Sequence, residues 1–379
     1  MAQEDFQLIA GSRVGVIASS ASVSPEGHIV ELLVAAPDVE VAAVFSPEHG
    51  FRGDQPAGTE VADEIDRVTG LPVFSLYGAT RKPSESMLAD IDVLIYDLQD
   101  VGTRYYTYVS TMGLAMAAAA EAGIPFVVLD RPNPRGGELI SGPVGPDGRI
   151  SFVSLYPIPS VYGLTAGELA RAIVGEGWIG GLENLDLTVV AMKGWSRTDG
   201  WQDTGLVWVP PSPGLPSSES AATYPSVVLF EATTVSFGQG TDQPFIQLGA
   251  PWLDSEPLAA ELNARSLPGV RFHATRFTPV ASANAPEPRF EGQEVPGLRI
   301  EIAGPDYEPT LVALHLLQAT MASSPEPIID QPAMFDLLAG TSQVRTSLVA
   351  GDDPATIAGR WGSDLEAFDE LRRSYFLYD

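Results

Sequence analysis

The sequence predicts an α/β protein, in which a mostly parallel sheet flanked by helices is followed by a smaller C-terminal α+β domain. Three observations carry that prediction. Short β-branched runs alternate with helix-length segments as far as residue 190, a pattern that implies parallel βαβ units with right-handed crossovers. The runs are continuously apolar, as strands covered on both faces are. Beyond a Pro/Ser-rich passage at 209–218 the alternation gives way to longer strands and clustered helices. The expected division is 1–215, the sheet domain carrying the active site, and 216–379, an auxiliary domain closing the cleft.

Residues 13–18 form the first strand. Ser24 as N-cap and Pro25 at the first position open a helix on which Ile29, Leu32, Leu33 and Ala36 share a face. The strand at 41–45 must end at Ser46-Pro47, because proline has no N–H for the ladder. A polar passage leads to a strand at 72–76, a short helix at 84–88 and the clearest buried strand, 92–97. A helix rich in Ala and Met spans 109–122 and stops at Gly123; a strand follows at 124–130. Thr165 and Glu168 form the Ser/Thr-x-x-Glu pattern that starts a helix, and 185–190 is a further strand. The second half should hold a helix at 256–265, strands at 269–277 and 297–303, a helix at 309–322 and two or three C-terminal helices.

Composition narrows the partners. A net charge of −28 argues against nucleic acid and against an anionic membrane surface. No apolar run reaches membrane-spanning length. Only two of the 21 basic residues, Lys82 and Lys193, are lysines, so an anionic substrate would depend on specific arginines. The absence of cysteine removes disulfides, thiolate metal sites and a cysteine nucleophile. The N-terminus lacks the basic and apolar regions of a signal peptide, so a cytoplasmic location is expected of this sequence, or a periplasmic or secreted one if a signal has been trimmed away.

Chemistry gathers where the strands end. The loop 45–53, Phe-Ser-Pro-Glu-His-Gly-Phe-Arg-Gly, delivers Glu48, His49 and Arg52. The strand at 92–97 delivers Asp97, Gln99, Asp100, Arg104, Tyr105, Tyr106 and Tyr108, and the strand at 124–130 delivers Asp130, Arg131 and Asn133. In a parallel sheet these ends share one edge, where open α/β sheets bind ligands. Taken singly, Asp97 and Asp130 suit helix caps or ion pairs, and the tyrosines suit packing. Together they suit glycoside hydrolysis, which needs one protonated carboxyl for the leaving oxygen and a second carboxylate to attack or stabilise the anomeric carbon. Glu48 is the candidate acid, with Asp97 and Asp100 as its catalytic partners. A metal site is the competing use of Glu48, His49, Asp97 and Asp100. With four histidines in the chain zinc is not expected, and no cofactor is. Neither a dinucleotide glycine motif nor a phosphate loop follows the first strand.

These segments resemble the exo-β-N-acetylmuramidase (NamZ-like) family. The likeness is carried by the 45–53 loop, Leu-Pro-Val-Phe-Ser-Leu-Tyr-Gly at 71–78, Tyr-Asp-Leu-Gln-Asp-Val-Gly-Thr-Arg-Tyr-Tyr-Thr-Tyr at 96–108, Val-Leu-Asp-Arg-Pro-Asn-Pro at 128–134 and Trp-Val-Pro-Pro-Ser-Pro at 208–213. The resemblance implies a Rossmann-like domain with the active site, a smaller C-terminal domain, and release of terminal N-acetylmuramic acid from peptidoglycan fragments. It implies roles for Glu48 and for Asp97, Gln99, Asp100 and Arg104. Substrate-binding candidates are His49, Arg52, Gln99, Arg104, Tyr105, Tyr108, Arg131, Asn133 and Glu231. Three stretches depart from the family pattern. Ser-Ser-Ala-Ser at 19–22 replaces an Asn-Gln-Thr-Gly-like sequence, Phe237 and Gln239 replace an acid and an arginine, and 281–296 replaces Lys-Tyr and Cys-Gly-Gly pieces. The expected reaction is exo-hydrolysis of an N-acetylated amino sugar, with the nucleophile open between a carboxylate and the sugar's 2-acetamido group. The alternative is a catalytically weakened homologue that binds cell-wall saccharide or a protein partner.

Overall fold

The computed structural model describes residues 6–53, 55, 56, 58–148 and 150–379. Arg13–Ala18 (β1) leads into a small hairpin, Val23–Ser24 (β2) and Gly27–His28 (β3), and only then into a helix, Ile29–Ala35 (α1). The expected helix start at Ser24 is therefore corrected. The Ser24 hydroxyl donates to the Gly27 carbonyl across the hairpin turn, and the His28 ring caps the helix by accepting from the Val30 N–H. Gly27, at φ 136°, turns the chain where a side chain would be strained.

Glu40–Ser46 (β4), Glu64–Ile65 (β5), Pro72–Ser75 (β6), Glu85–Leu88 (α2), Val93–Asp97 (β7), Tyr108–Ala122 (α3), Phe126–Leu129 (β8), Ala166–Gly175 (α4) and Leu187–Val190 (β9) complete the first layer system. The sheet order is β5-β6-β4-β1-β7-β8-β9, parallel except for β5 against β6. The chain builds outward from β1 through β4 and β6, then crosses back to build through β7, β8 and β9. The loops after β1 and β7 thus part at a topological switch point, the usual ligand crevice of such sheets.

Strand periodicity assigns the two faces. Val14, Val16 and Ala18 pack with Ile29, Val30 and Leu33 of α1. Ile17 joins Phe45, Leu94 and Tyr96 under Met112, Ala115 and Met116 of α3. The expected caps are present. Gly123 ends α3 at φ 68°, and Thr165 with Glu168 closes a capping box on α4.

The second region holds Ser218–Val227 (α5), Gln247–Gly249 (β10), Ser255–Ala264 (α6), Val270–Phe277 (β11), Val295–Ile302 (β12), Pro309–Ser323 (α7), Pro332–Ala339 (α8), Gln343–Ala350 (α9), Pro354–Gly359 (α10) and Gly362–Arg372 (α11). Its antiparallel sheet has the order β10-β12-β11. Helix α5 and strand β10 were not expected. Pro225 lies inside α5, and β10 is three residues long, so neither carries its own pattern. Four helices, α8 to α11, stand where two or three were expected. The end of the chain then returns to the first sheet. The Tyr378 hydroxyl donates to Asp130 at 2.6 Å, the Leu377 N–H donates to Glu168 at 2.9 Å, and the Arg197 N–H donates to the Asp379 carbonyl at 2.9 Å. Among the described residues no helix is long and apolar enough to cross a membrane.

Candidate active site

Strand β4 ends at Ser46, and Pro47 and the glycines turn the chain over the sheet edge. His49 (φ 72°) and Gly50 (φ 76°) both take left-handed backbone. The His49 Nδ1–H donates to the Gln55 carbonyl at 3.0 Å, so this imidazole fastens the loop. The turn buries Glu48. Its Oε1 accepts from the Gly58 N–H at 2.8 Å, and its Oε2 accepts from the Thr107 hydroxyl, at the start of α3, at 2.7 Å. The Tyr108 hydroxyl approaches the Glu48 carbonyl at 3.4 Å and donates to the Pro211 carbonyl, tying the Pro-rich passage to the loop.

Glu231 brings a second carboxyl from the 3-10 turn Val228–Ala232 that follows α5. It keeps some surface access, yet protein encloses its carboxyl on nearly all sides. That burial, and then the charge of Glu48, pushes it up to about 8. At neutral pH Glu231 therefore holds a proton beside Glu48. Phenols surround the pair. Tyr77 is pushed up to about 12 by burial and then by the Glu48 charge. Tyr224 is raised by burial, with the charges of Glu231 and Glu48 adding to it. Tyr105 meets Tyr224 edge-on at 5.4 Å, Tyr224 meets Phe245 at 4.7 Å, and Phe237 stacks on Phe245 at 5.0 Å. An aromatic wall thus runs from the Glu48 loop into the second region.

Of the residues expected on one crevice, Glu48, Tyr108, Glu231 and Tyr105 come together, His49 braces the loop that carries Glu48, and the others take partners of their own. Asp100 takes none of the donors that hold Glu48. Its Oδ2 accepts from Tyr162 and from the Gly102 N–H, and burial pushes it up to about 6. Asp97 is closed by Arg131 through bonds of 2.6 and 3.0 Å. That pair faces a different cavity of about 420 Å³, shared with Ser22, Asp130, Lys193 and Trp195, whose lining includes neither Glu48 nor Glu231. Arg52 binds Asp66 at 2.5 Å and covers the Phe51 ring, away from the pair. Arg104 is fully buried and reaches the opposite way. It donates to the carbonyls of Leu338 and Ala339 at 3.2 and 2.9 Å and to Ser154 at 2.6 Å. Gln99 ties the Asp100 and Pro132 carbonyls together, and Asn133 donates to the Leu164 carbonyl, so both brace loops. The carboxyl whose pKa is raised is that of Glu231.

Sequence reasoning missed Tyr77, Thr107 and Tyr224. Thr107 lies inside the Tyr-Tyr-Thr-Tyr cluster and Tyr77 inside the 71–78 motif, so their neighbourhood was visible. Tyr224 sits on the helix that was not expected.

The N-terminal and C-terminal family models of the exo-β-N-acetylmuramidase NamZ match residues 14–219 and 222–378. The peptidoglycan β-N-acetylmuramidase NamZ of Bacillus subtilis (strain 168) is 42% identical over 371 residues, which cover 97% of this chain and 87% of that protein. Two crystal structures of DUF1343 family proteins from Bacteroides fragilis NCTC 9343 share the fold. One has a TM-score of 0.91 at 38% identity and the other 0.81 at 31%, each match covering 100% of this chain and 97% of theirs. The chain belongs to the exo-β-N-acetylmuramidase NamZ family.

Proposed function

We propose that this protein is an exo-acting glycoside hydrolase that releases terminal N-acetylmuramic acid from peptidoglycan fragments. The observation that carries the reading is the Glu48–Glu231 pair, a carboxyl raised to about 8 beside one held by the Gly58 N–H and Thr107, with tyrosines around them. Hydrolysis of a glycoside needs that division of labour, since the leaving oxygen must take a proton while negative charge faces the anomeric carbon. Glu231 is the proton donor. Glu48, whose oxygens are held as acceptors by the Gly58 N–H and Thr107, supplies the charge. Tyrosine rings beside the pair offer flat faces for a sugar. The family membership and the 42% identity to a muramidase support the same substrate class.

The test is turnover of a chromogenic N-acetyl-β-muraminide. The parent should hydrolyse it, and Glu231→Gln and Glu48→Gln should each lower kcat by about 100-fold or more, the usual contribution of a general acid or base. The parental rate should fall as pH rises past about 8, where Glu231 gives up its proton. Full activity in Glu231→Gln would remove the acid from this scheme. Binding without turnover in the parent would favour a saccharide-binding homologue.

A further inference from the structure

Arg135 follows Pro134 in the loop after β8, with its N–H donating to Asn133 Oδ1 at 3.0 Å. The side chain crosses to α5, where Nη1 donates to the Ala222 carbonyl, and its guanidinium carbon lies 5.9 Å from the centre of the Tyr307 ring. Nε is buried without a partner, and Nη2 makes no hydrogen bond to a described residue. Among the described residues no carboxylate stands within 4.0 Å of this guanidinium. Three other enclosed arginines are answered by carboxylates, Arg197 by Glu168 at 2.8 Å, Arg131 by Asp97 at 2.6 Å and Arg372 by Asp369 at 2.6 Å, while Arg104 donates to Ser154 and the last carbonyls of α8. The charge of Glu308 does reach Arg135, but its oxygens are engaged by the Leu311 N–H, Ser141 and Thr310. Removing a cation from water without a partner is costly, so an enclosed guanidinium with free donors is a place for an anion that arrives from outside.

The position suits an anion on the substrate. Arg135 and Glu231 both act on the Tyr105 phenol, and the Tyr105 ring packs on Tyr224, which feels Glu48 and Glu231. The arginine and the carboxyl pair therefore lie against one cluster of aromatic rings. Resting on the muramidase reading, we propose that Arg135 is the specificity-determining residue that binds the lactyl carboxylate of N-acetylmuramic acid. The adjacent Nε and Nη2 donors match the two oxygens of a carboxylate in a planar, bidentate grip. The substrate then brings a carboxylate within hydrogen-bonding reach, which no described residue does. This also accounts for how a chain of net charge −28 accepts an acidic sugar.

The experiment compares two chromogenic β-glycosides that differ only in the lactyl ether, the N-acetylmuraminide and the N-acetylglucosaminide. In Arg135→Met the ratio of kcat/KM between them should fall about 10- to 100-fold, chiefly through KM on the muraminide, and Arg135→Lys should restore part of it. Equal losses on both substrates would make Arg135 merely structural and overturn the proposal. Calorimetry on the unaltered protein gives a second reading, with free N-acetylmuramic acid expected to bind about 10-fold or more tighter than its methyl ester. Equal binding of acid and ester overturns the proposal even if Arg135→Met fails to fold. Should the unaltered protein hydrolyse neither glycoside, the muramidase reading fails, while the acid–ester comparison still decides the role of the arginine.

Discussion

Glu231 shows how far a single residue escapes its own sequence context. Nothing in Phe230-Glu231-Ala232 marks a proton donor. The shift comes from elements that tertiary folding brings around it, and from Glu48 on a loop of the first sheet. The Glu48 loop itself was legible, because Pro47 ends a strand and Gly50 and Gly53 let the chain turn back. The raised pKa of Glu231 was not, since that depends on its enclosure in the folded chain. The shift also predicts a stability profile. A carboxyl raised from 4.5 to about 8 keeps its proton in the native state across that range, while the unfolded chain has released it. Unfolding thus becomes easier as pH rises from about 4.5 to about 8. Glu231→Gln cannot ionise, so its melting temperature should gain on that of the parent, by several degrees, over this interval. Parallel melting curves across the interval would contradict the shift.

At the scale of elements, Arg104 belongs to a helix end and not to the sugar site expected for it. Its guanidinium sits on the last carbonyls of α8, where the helix dipole favours a cation, and burial pushes it down to about 10. Arg104→Met should cost about 2 kcal/mol in urea unfolding, from buried carbonyls left without donors. Gly340, the C-cap of α8, holds φ at 76°, and a Cβ there would meet the guanidinium at 2.6 to 2.7 Å. Gly340→Ala should therefore destabilise as well, by strain and by displacing the same group. No loss in either variant would deny the contact. The reach of Arg104 across more than two hundred residues of chain is what hid it, because a motif reports a residue's neighbours in sequence and not its partners in space. Strands with continuous apolar runs and helices with clear caps were read correctly. The 23–28 hairpin was misread because Ser-Pro-Glu-Gly starts a helix as readily as it makes a turn.

In the whole molecule the two regions are held by more than the passage at 209–218. Arg372 donates to the carbonyls of Gly137 and Gly163 at 2.7 and 2.8 Å, and the residues after it lie along the first sheet's outer helix. Removing residues 373–379 should lower the melting temperature by ten degrees or so, since it strips partners from Glu168 and Asp130 together. An unchanged transition would show the segment to be ornamental. Tyr378→Phe, which keeps the ring but removes the phenol donor to Asp130, should draw that carboxyl higher than its present value of about 6. The order of synthesis gives this arrangement a further meaning. The sheet of the first region leaves the ribosome well before Tyr378 does, so Asp130 must wait for this donor. A nascent chain halted before Tyr378 would leave Asp130 and Glu168 without these donors, and limited proteolysis of such shortened chains should open the sheet sooner.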